Sequence, residues 1–196
     1  MAATTDPSSV EMETVTSEWP TATDLARLRA EEPAYTLTVE APVPPARALA
    51  VWAEPETARR TNPLIISVVT NGQEESADRS RRVSFTVTDQ ISPLGPCCCS
   101  IPVRFPAVFW VPATESAGQD PAADATLYSY APAACGVTVV NRWTFLATPN
   151  GSATTVRQDT WVSAPALLRQ FTIGQARSAH SEGLRKISEL LRDENK

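Results

Sequence analysis

Histidine occurs once in the 196 residues, at His180, and seven glycines stand against seventeen prolines. Proline fixes φ and donates no ladder hydrogen bond, so this imbalance predicts elements that begin or end abruptly. No run of 18 uncharged apolar residues exists, which excludes a spanning helix. Residues 1–33 lack the apolar core of a secretory signal, so a cytoplasmic protein is expected. A basic excess is also missing. Seven acidic side chains against Arg27 and Arg29 place the whole net charge of −5 in residues 1–33, and residues 34–196 are balanced. The body therefore has no electrostatic footprint for nucleic acid and no polybasic membrane patch. The glycine-rich dinucleotide fingerprint, the P-loop, His-Glu-x-x-His and Gly-x-Ser-x-Gly are all absent. Nucleotide-dependent chemistry, zinc proteolysis and serine hydrolysis through those motifs have no support. No cofactor is expected.

Cysteine is scarce and oddly placed, at Cys97, Cys98, Cys99 and Cys135. Adjacent cysteines suit ordinary bridge geometry poorly, and there is no Cys-x-x-Cys pair of the zinc type. The four read as small buried hydrophobes, and no metal is expected. The alternative is a cysteine-rich metal site with His180 as a further ligand.

What is present is a sequence of alternating segments. Residues 1–33 form an acidic flexible arm whose first 20 residues are dispensable for folding, with a short helix at 23–32 capped by Thr23. The alternative for this arm is docking on the domain edge, with Trp19 as anchor. Tyr35 to Val39 alternates with period two and reads as a strand. Pro44, Pro45 and Pro55 open two short helices, over 46–53 and 56–61. Strands follow at 64–70, ending in a turn at Asn71-Gly72, then at 82–89, 125–131, 137–147 and 153–162. The last two are joined by the turn Pro149-Asn150-Gly151-Ser152. Residues 97–111 are apolar but cut by prolines, which predicts an edge strand with a bulge or two pieces, and 114–123 is a polar loop. From Ser163, as N-cap, to Asp193 nothing breaks a helix once Pro165 has taken the first turn. Its apolar stripe is Ile173, Ala176, Leu184, Ile187 and Leu191, with His180 inside it. Gly174 and Gly183 thin this helix where room is needed. A run of antiparallel strands between segregated helices implies an α+β fold, with the long helix lying on the sheet.

Three stretches carry a family resemblance. Val39-Glu40-Ala41-Pro42 through Arg47 to Trp52 and Pro55-Glu56 form an opening of strand, Ala-Pro break and two short helices. Trp143-Thr144-Phe145, followed by Asn150 to Val156, forms a late hairpin. Gly183 to Leu191 ends the last helix. The chain from Tyr35 to Asp193 thereby resembles the START / birch-pollen-allergen / polyketide-cyclase (SRPBCC) superfamily. The stretch Pro93 to Pro112 departs from its usual pattern. The resemblance implies a helix-grip domain over 34–196: a curved antiparallel sheet of six or seven strands wrapped around the long C-terminal helix, with two short helices after the first strand. It also implies a cavity for a hydrophobic small molecule.

Such a cavity is mostly apolar with a few convergent polar groups. His180, the one imidazole, is the candidate general acid or base. Arg157 is the candidate guanidinium for an enolate or carboxylate, its alternative being an ion pair on the solvent face. Tyr128 is the third catalytic candidate, as a hydroxyl donor. Trp110, Tyr130, Trp143, Trp161, Ile173 and Leu184 are the expected ligand-binding residues, with either Arg142 or Trp143 facing inward. Two functions fit: a cofactor-free cyclase or dehydratase of secondary metabolism acting on a polyketide-like or terpenoid-like substrate, or a non-catalytic binding and transport protein for a lipid-like ligand. A third is an interaction module using the acidic arm. The sequence does not fix the oligomeric state.

Overall fold

The computed structural model describes residues 19–77, 79–91, 101–113 and 125–194. The expectations for residues 1–18, for Cys97 to Cys99 and for the loop 114–123 lie outside them. The order of elements is helix α1 (Ala22–Ala30), strand β1 (Tyr35–Ala41), helices α2 (Pro45–Trp52) and α3 (Pro55–Thr61), strands β2 (Ile65–Glu75), β3 (Arg81–Ile91), β4 (Ile101–Val111), β5 (Ala125–Pro132), β6 (Thr138–Ala147) and β7 (Thr154–Ser163), and helix α4 (Ala166–Glu194). The strands form one seven-stranded antiparallel sheet in the order β1-β7-β6-β5-β4-β3-β2. This is the helix-grip α+β architecture, with α4 on one face of the curved sheet. No helix among the described residues is long and apolar enough to cross a membrane.

Local sequence explains most of the boundaries. Pro45 and Pro55 each occupy the first turn of a short helix, where the missing N–H leaves no bond unmade. The β6–β7 hairpin turns at Gly151, whose φ of +69° suits glycine. Two expectations need correction. Asn71-Gly72 is not a turn: β2 runs on to Glu75, and the pair sits in a register shift between Thr70 and Gly72. Asn71 there donates to the Thr86 hydroxyl at 3.0 Å, so the bulge is held from the next strand. Pro102 and Pro106 lie within one continuous strand, paired with β3 from Ile101 to Val111. On the other side β4 pairs with β5 only over Val108 to Trp110, so both prolines fall where the strand is an edge.

The sheet has two differently covered faces. Alternation places Leu37, Val39, Val83, Phe85, Val87, Phe109, Leu127, Phe145 and Val156 on the concave face, in one core with Trp52 of α2 and Leu184, Ile187 and Leu191 of α4. Each fully buried aliphatic side chain there is worth roughly 1.5–3 kcal/mol. Ser188 on α4 donates to the Glu40 carbonyl at 2.6 Å and ties the helix to β1. Only the C-terminal half of α4 is sunk in this core. Ile173 and Ala176 are half-buried, and Leu167 is 96% exposed. Gly174 meets nothing, whereas Gly183 lies against Thr61 of α3. Gly183 faces the crossing with α3, and a Cβ there would meet Thr61 at ordinary contact distance, so neither glycine opens space above the sheet.

The convex face carries a second apolar cluster: Trp19, Leu28, Val108, Tyr128, Val140 and Trp161, with Leu25, Trp110 and Tyr130 beside them. Residues 19–31 are therefore docked. Helix α1 starts at Thr21, not Thr23, in a capping box with Asp24. Trp19 stacks on Tyr130 with ring centroids 5.1 Å apart, and its carbonyl accepts from Arg82. The Trp161 indole N–H donates to the Glu31 carbonyl at 2.9 Å.

Candidate functional site

His180 sits on α4 above the start of β1 and the end of β7. The strand alternation that sends Leu37 and Val39 into the core sends Tyr35 the same way, and the pairs Tyr35–Thr160 and Leu37–Gln158 put Gln158 and Thr160 in the same layer. Two donors converge on the imidazole. The Tyr35 hydroxyl lies 2.8 Å from Nδ1 and the Gln158 amide nitrogen 2.7 Å from it. The Gln158 amide also donates to Asn141 Oδ1 at 2.9 Å. Thr160 donates to that same oxygen at 2.8 Å, and Asn141 passes its own amide to Ser129 at 2.9 Å. A hydrogen-bonded polar chain therefore crosses β1, β7, β6 and β5 on an otherwise apolar face.

With the Gln158 amide oriented so that its nitrogen faces Nδ1, that nitrogen donates, which assigns the imidazole proton to Nε2. Burial lowers the His180 pKa to about 4, so the ring is neutral at pH 7. Burial also raises Tyr35 to about 12, although a hydrogen bond with Thr160 and the charge of Arg177 pull the other way. The cluster is thus an uncharged donor and acceptor set. Nothing among the described residues accepts from Nε2–H.

The sequence-derived candidates divide between the faces. His180, Trp143 and Leu184 lie on the concave side; the Trp143 ring meets Phe109 edge-on at 6.2 Å. Ile173 is half-buried on the first half of α4. Arg157, Tyr128, Tyr130, Trp110 and Trp161 are not brought to His180, contrary to the inward placement expected of them. They alternate with Gln158, Leu127, Ser129, Phe109 and Thr160, so the pleat turns them to the convex face. Arg157 pairs with Asp159 at 3.0 Å, and Arg142 pairs with the other oxygen of that carboxylate at 2.7 Å. Of Arg142 and Trp143, it is Trp143 that faces inward. Cys135, expected as a buried hydrophobe, is exposed in a short turn with φ of +60°.

Tyr35, Gln158, Thr160, Asn141 and Ser129 were missed by sequence reasoning. One signal could have found them: Val156 and Phe145 are cross-strand partners in the core, and counting by two from them reaches Gln158 and Asn141. Among the described residues no group of three or more His, Cys, Asp or Glu side chains is placed to hold a metal ion. A groove of about 360 Å³ runs between β1 and α4, lined by Leu37, Val39, Leu184 and Arg185 among others, but His180 is not part of its wall.

No protein-family model and no curated protein sequence matches the chain. Solved structures do. TTHA0849 from Thermus thermophilus is 14% identical with a TM-score of 0.56, over 82% of this chain and 98% of that one. The Zhui aromatase/cyclase from Streptomyces sp. R1128 is 12% identical with a TM-score of 0.58, over 83% and 94%. A conserved protein from Geobacillus kaustophilus is 13% identical with a TM-score of 0.53, over 81% and 94%. With its seven-stranded sheet packed on α4, the chain shares the fold of these structures, the helix-grip α+β fold that the sequence resemblance implied.

Proposed function

We propose that the protein binds a hydrophobic small molecule between the concave face of the sheet and α4, and acts on it as a cofactor-free cyclase or dehydratase on a polyketide-like or terpenoid-like substrate. The observation that carries this reading is the convergence of Tyr35 and Gln158 on His180 Nδ1, which holds Nε2–H as an oriented donor beside an apolar wall. A ligand carbonyl accepting from Nε2–H would be polarised, and its neighbouring C–H made more acidic. Both intramolecular condensation and dehydration need that effect. The likeness in fold to an aromatase/cyclase agrees with this chemistry without specifying it.

A second reading has its own support. An imidazole whose pKa has fallen to about 4 is a weak base, and its Nδ1 is already occupied. Such a ring orients a carbonyl well and draws a proton from carbon poorly. This favours a non-catalytic binding or transport protein for a hydrophobic ligand.

Native mass spectrometry of protein from its own host identifies a retained small molecule. Affinity and product formation are then measured for the wild type and His180→Gln side by side. A cyclase loses turnover on the order of 10²-fold with the fold intact. Unchanged turnover rejects the catalytic role, and a modest change in affinity alone supports the carrier.

A further inference from the structure

The row of concave-facing side chains on β3 is Val83, Phe85, Val87 and then Asp89. The first three belong to the apolar core. Asp89 continues their alternation, so it too is turned to the concave face. Its cross-strand partners are Val103 on β4 and Ile65 on β2, both apolar. Asp89 Oδ1 is buried and has no hydrogen-bond partner among the described residues. Asp89 as a whole is half-buried; the convex-face carboxylate Asp159 is fully buried and is satisfied by Arg142, Arg157 and Thr36. Among the described residues three side chains partner Asp159 and none partners Asp89 Oδ1, which leaves that acceptor open there. Burial, with no basic group to offset it, raises the Asp89 pKa to about 6.

We propose that Asp89 is the acceptor of a second polar subsite on the concave face, and that it takes a hydrogen bond from a hydroxyl group on a hydrophobic ring ligand. This rests on the reading that the concave space holds a hydrophobic small molecule. A hydroxyl suits the site better than an ammonium. The walls are Val87, Ile65 and Val103, and a ligand cation would have to shed its water among them, whereas a hydroxyl brings one donor at a smaller desolvation cost. The two anchors are complementary: His180 donates to a ligand acceptor, and Asp89 accepts from a ligand donor.

Three probes of one ring size test this: naphthalene, 2-naphthol, which adds a donor, and 2-acetylnaphthalene, which adds only an acceptor. Affinities are measured by probe fluorescence at pH 7.5 for the wild type, Asp89→Leu and His180→Gln. The wild type binds 2-naphthol about tenfold more tightly than naphthalene, the factor expected of a hydrogen bond to a charged group. Asp89→Leu removes that preference and keeps naphthalene binding. His180→Gln keeps the preference for 2-naphthol and weakens 2-acetylnaphthalene. The fold of the leucine variant is checked by its melting temperature, which rises because an unpartnered carboxylate is replaced by an aliphatic side chain among aliphatic neighbours. Equal affinity for 2-naphthol and naphthalene in the wild type, or a preference that survives in Asp89→Leu, overturns the assignment of Asp89 alone. Failure of all three probes to bind the wild type overturns the ligand reading and this proposal with it.

Discussion

The two faces of the sheet use similar side chains to opposite ends. The convex face holds an ion pair, four aromatic rings from β4, β5 and β7, and two arginines, the inventory expected of a ligand pocket. Each is spoken for. Asp159 is fully buried between Arg142, Arg157 and Thr36, and the Arg142 guanidinium lies 5.4 Å from the Trp161 ring centroid. Burial by itself would raise Asp159, but the hydrogen bonds from Arg142 and Thr36 and the charges of Arg142 and Arg157 outweigh it and hold the carboxyl below its ordinary range. The concave face is more modest in composition, yet among the described residues it presents a neutral polar chain ending in an imidazole N–H without an acceptor, and an Asp89 Oδ1 without a donor. Satisfied groups stabilise; groups left with a donor or acceptor to spare can bind. Residue type does not separate the two faces; what differs is how their carboxylates are partnered, Asp159 by three side chains and Asp89 Oδ1 by none among the described residues.

That contrast can be broken most forcefully at Asp159. Asp159→Ala strands Arg142 in a partly buried position, and losing one member of such a pair costs about 3–5 kcal/mol, a fall in melting temperature on the order of 10 °C. Probe affinity at the concave face should stay unchanged in any folded fraction, as measured by naphthalene fluorescence below the melting point. Trp19→Ala comes next, at about 3 kcal/mol, because it empties a space against Tyr128 and Tyr130. Thermal melts of this variant, and of a chain lacking residues 1–20, should both shift down; an unshifted truncation would mean that the docked arm contributes nothing.

The third test is pH. His180 takes up a proton near 6.5 when unfolded and only near 4 when folded, so acidification between those values favours unfolding. Asp89 works in the opposite sense. Its folded pKa of about 6 lies above the unfolded value of 3.8, so stability is lost as pH rises through that window. The two effects oppose one another between pH 4 and 6. Urea titrations should show a nearly flat wild-type profile there, a steeper loss on acidification in Asp89→Leu, and the reverse slope in His180→Gln. The smallest effect belongs to Tyr35→Phe, about 1 kcal/mol for one neutral hydrogen bond. Its sharper signature is a His180 titration displaced from that of the wild type, read by NMR.

Much of the fold was legible because it depends on local rules. Period-two alternation marked the strands. Pro45, Pro55 and Pro165 marked helix starts, Gly151 the hairpin, and the Leu184, Ile187, Leu191 spacing the buried face of α4. The candidate site was legible only in part. His180 stood out as the one imidazole on an apolar stripe, but its partners did not, since Tyr35, Gln158 and Asn141 gain meaning only through strand register. The larger obstacle was that both faces of the sheet are covered. Trp161 and Tyr128 looked inward because large aromatic side chains seek burial, and they are buried, beneath α1 on the other side.

The amino-acid order therefore determined the elements, their sequence, the antiparallel sheet and the helix that lies on it, because propensity, proline placement and hydrophobic period act within a few residues. Which face each strand turned to α4, where α1 docked, and whether Asp89 or Asp159 received partners were decided by tertiary structure alone. Those choices depend on cross-strand register and on two competing apolar layers, and a shift of one residue exchanges every side chain between them.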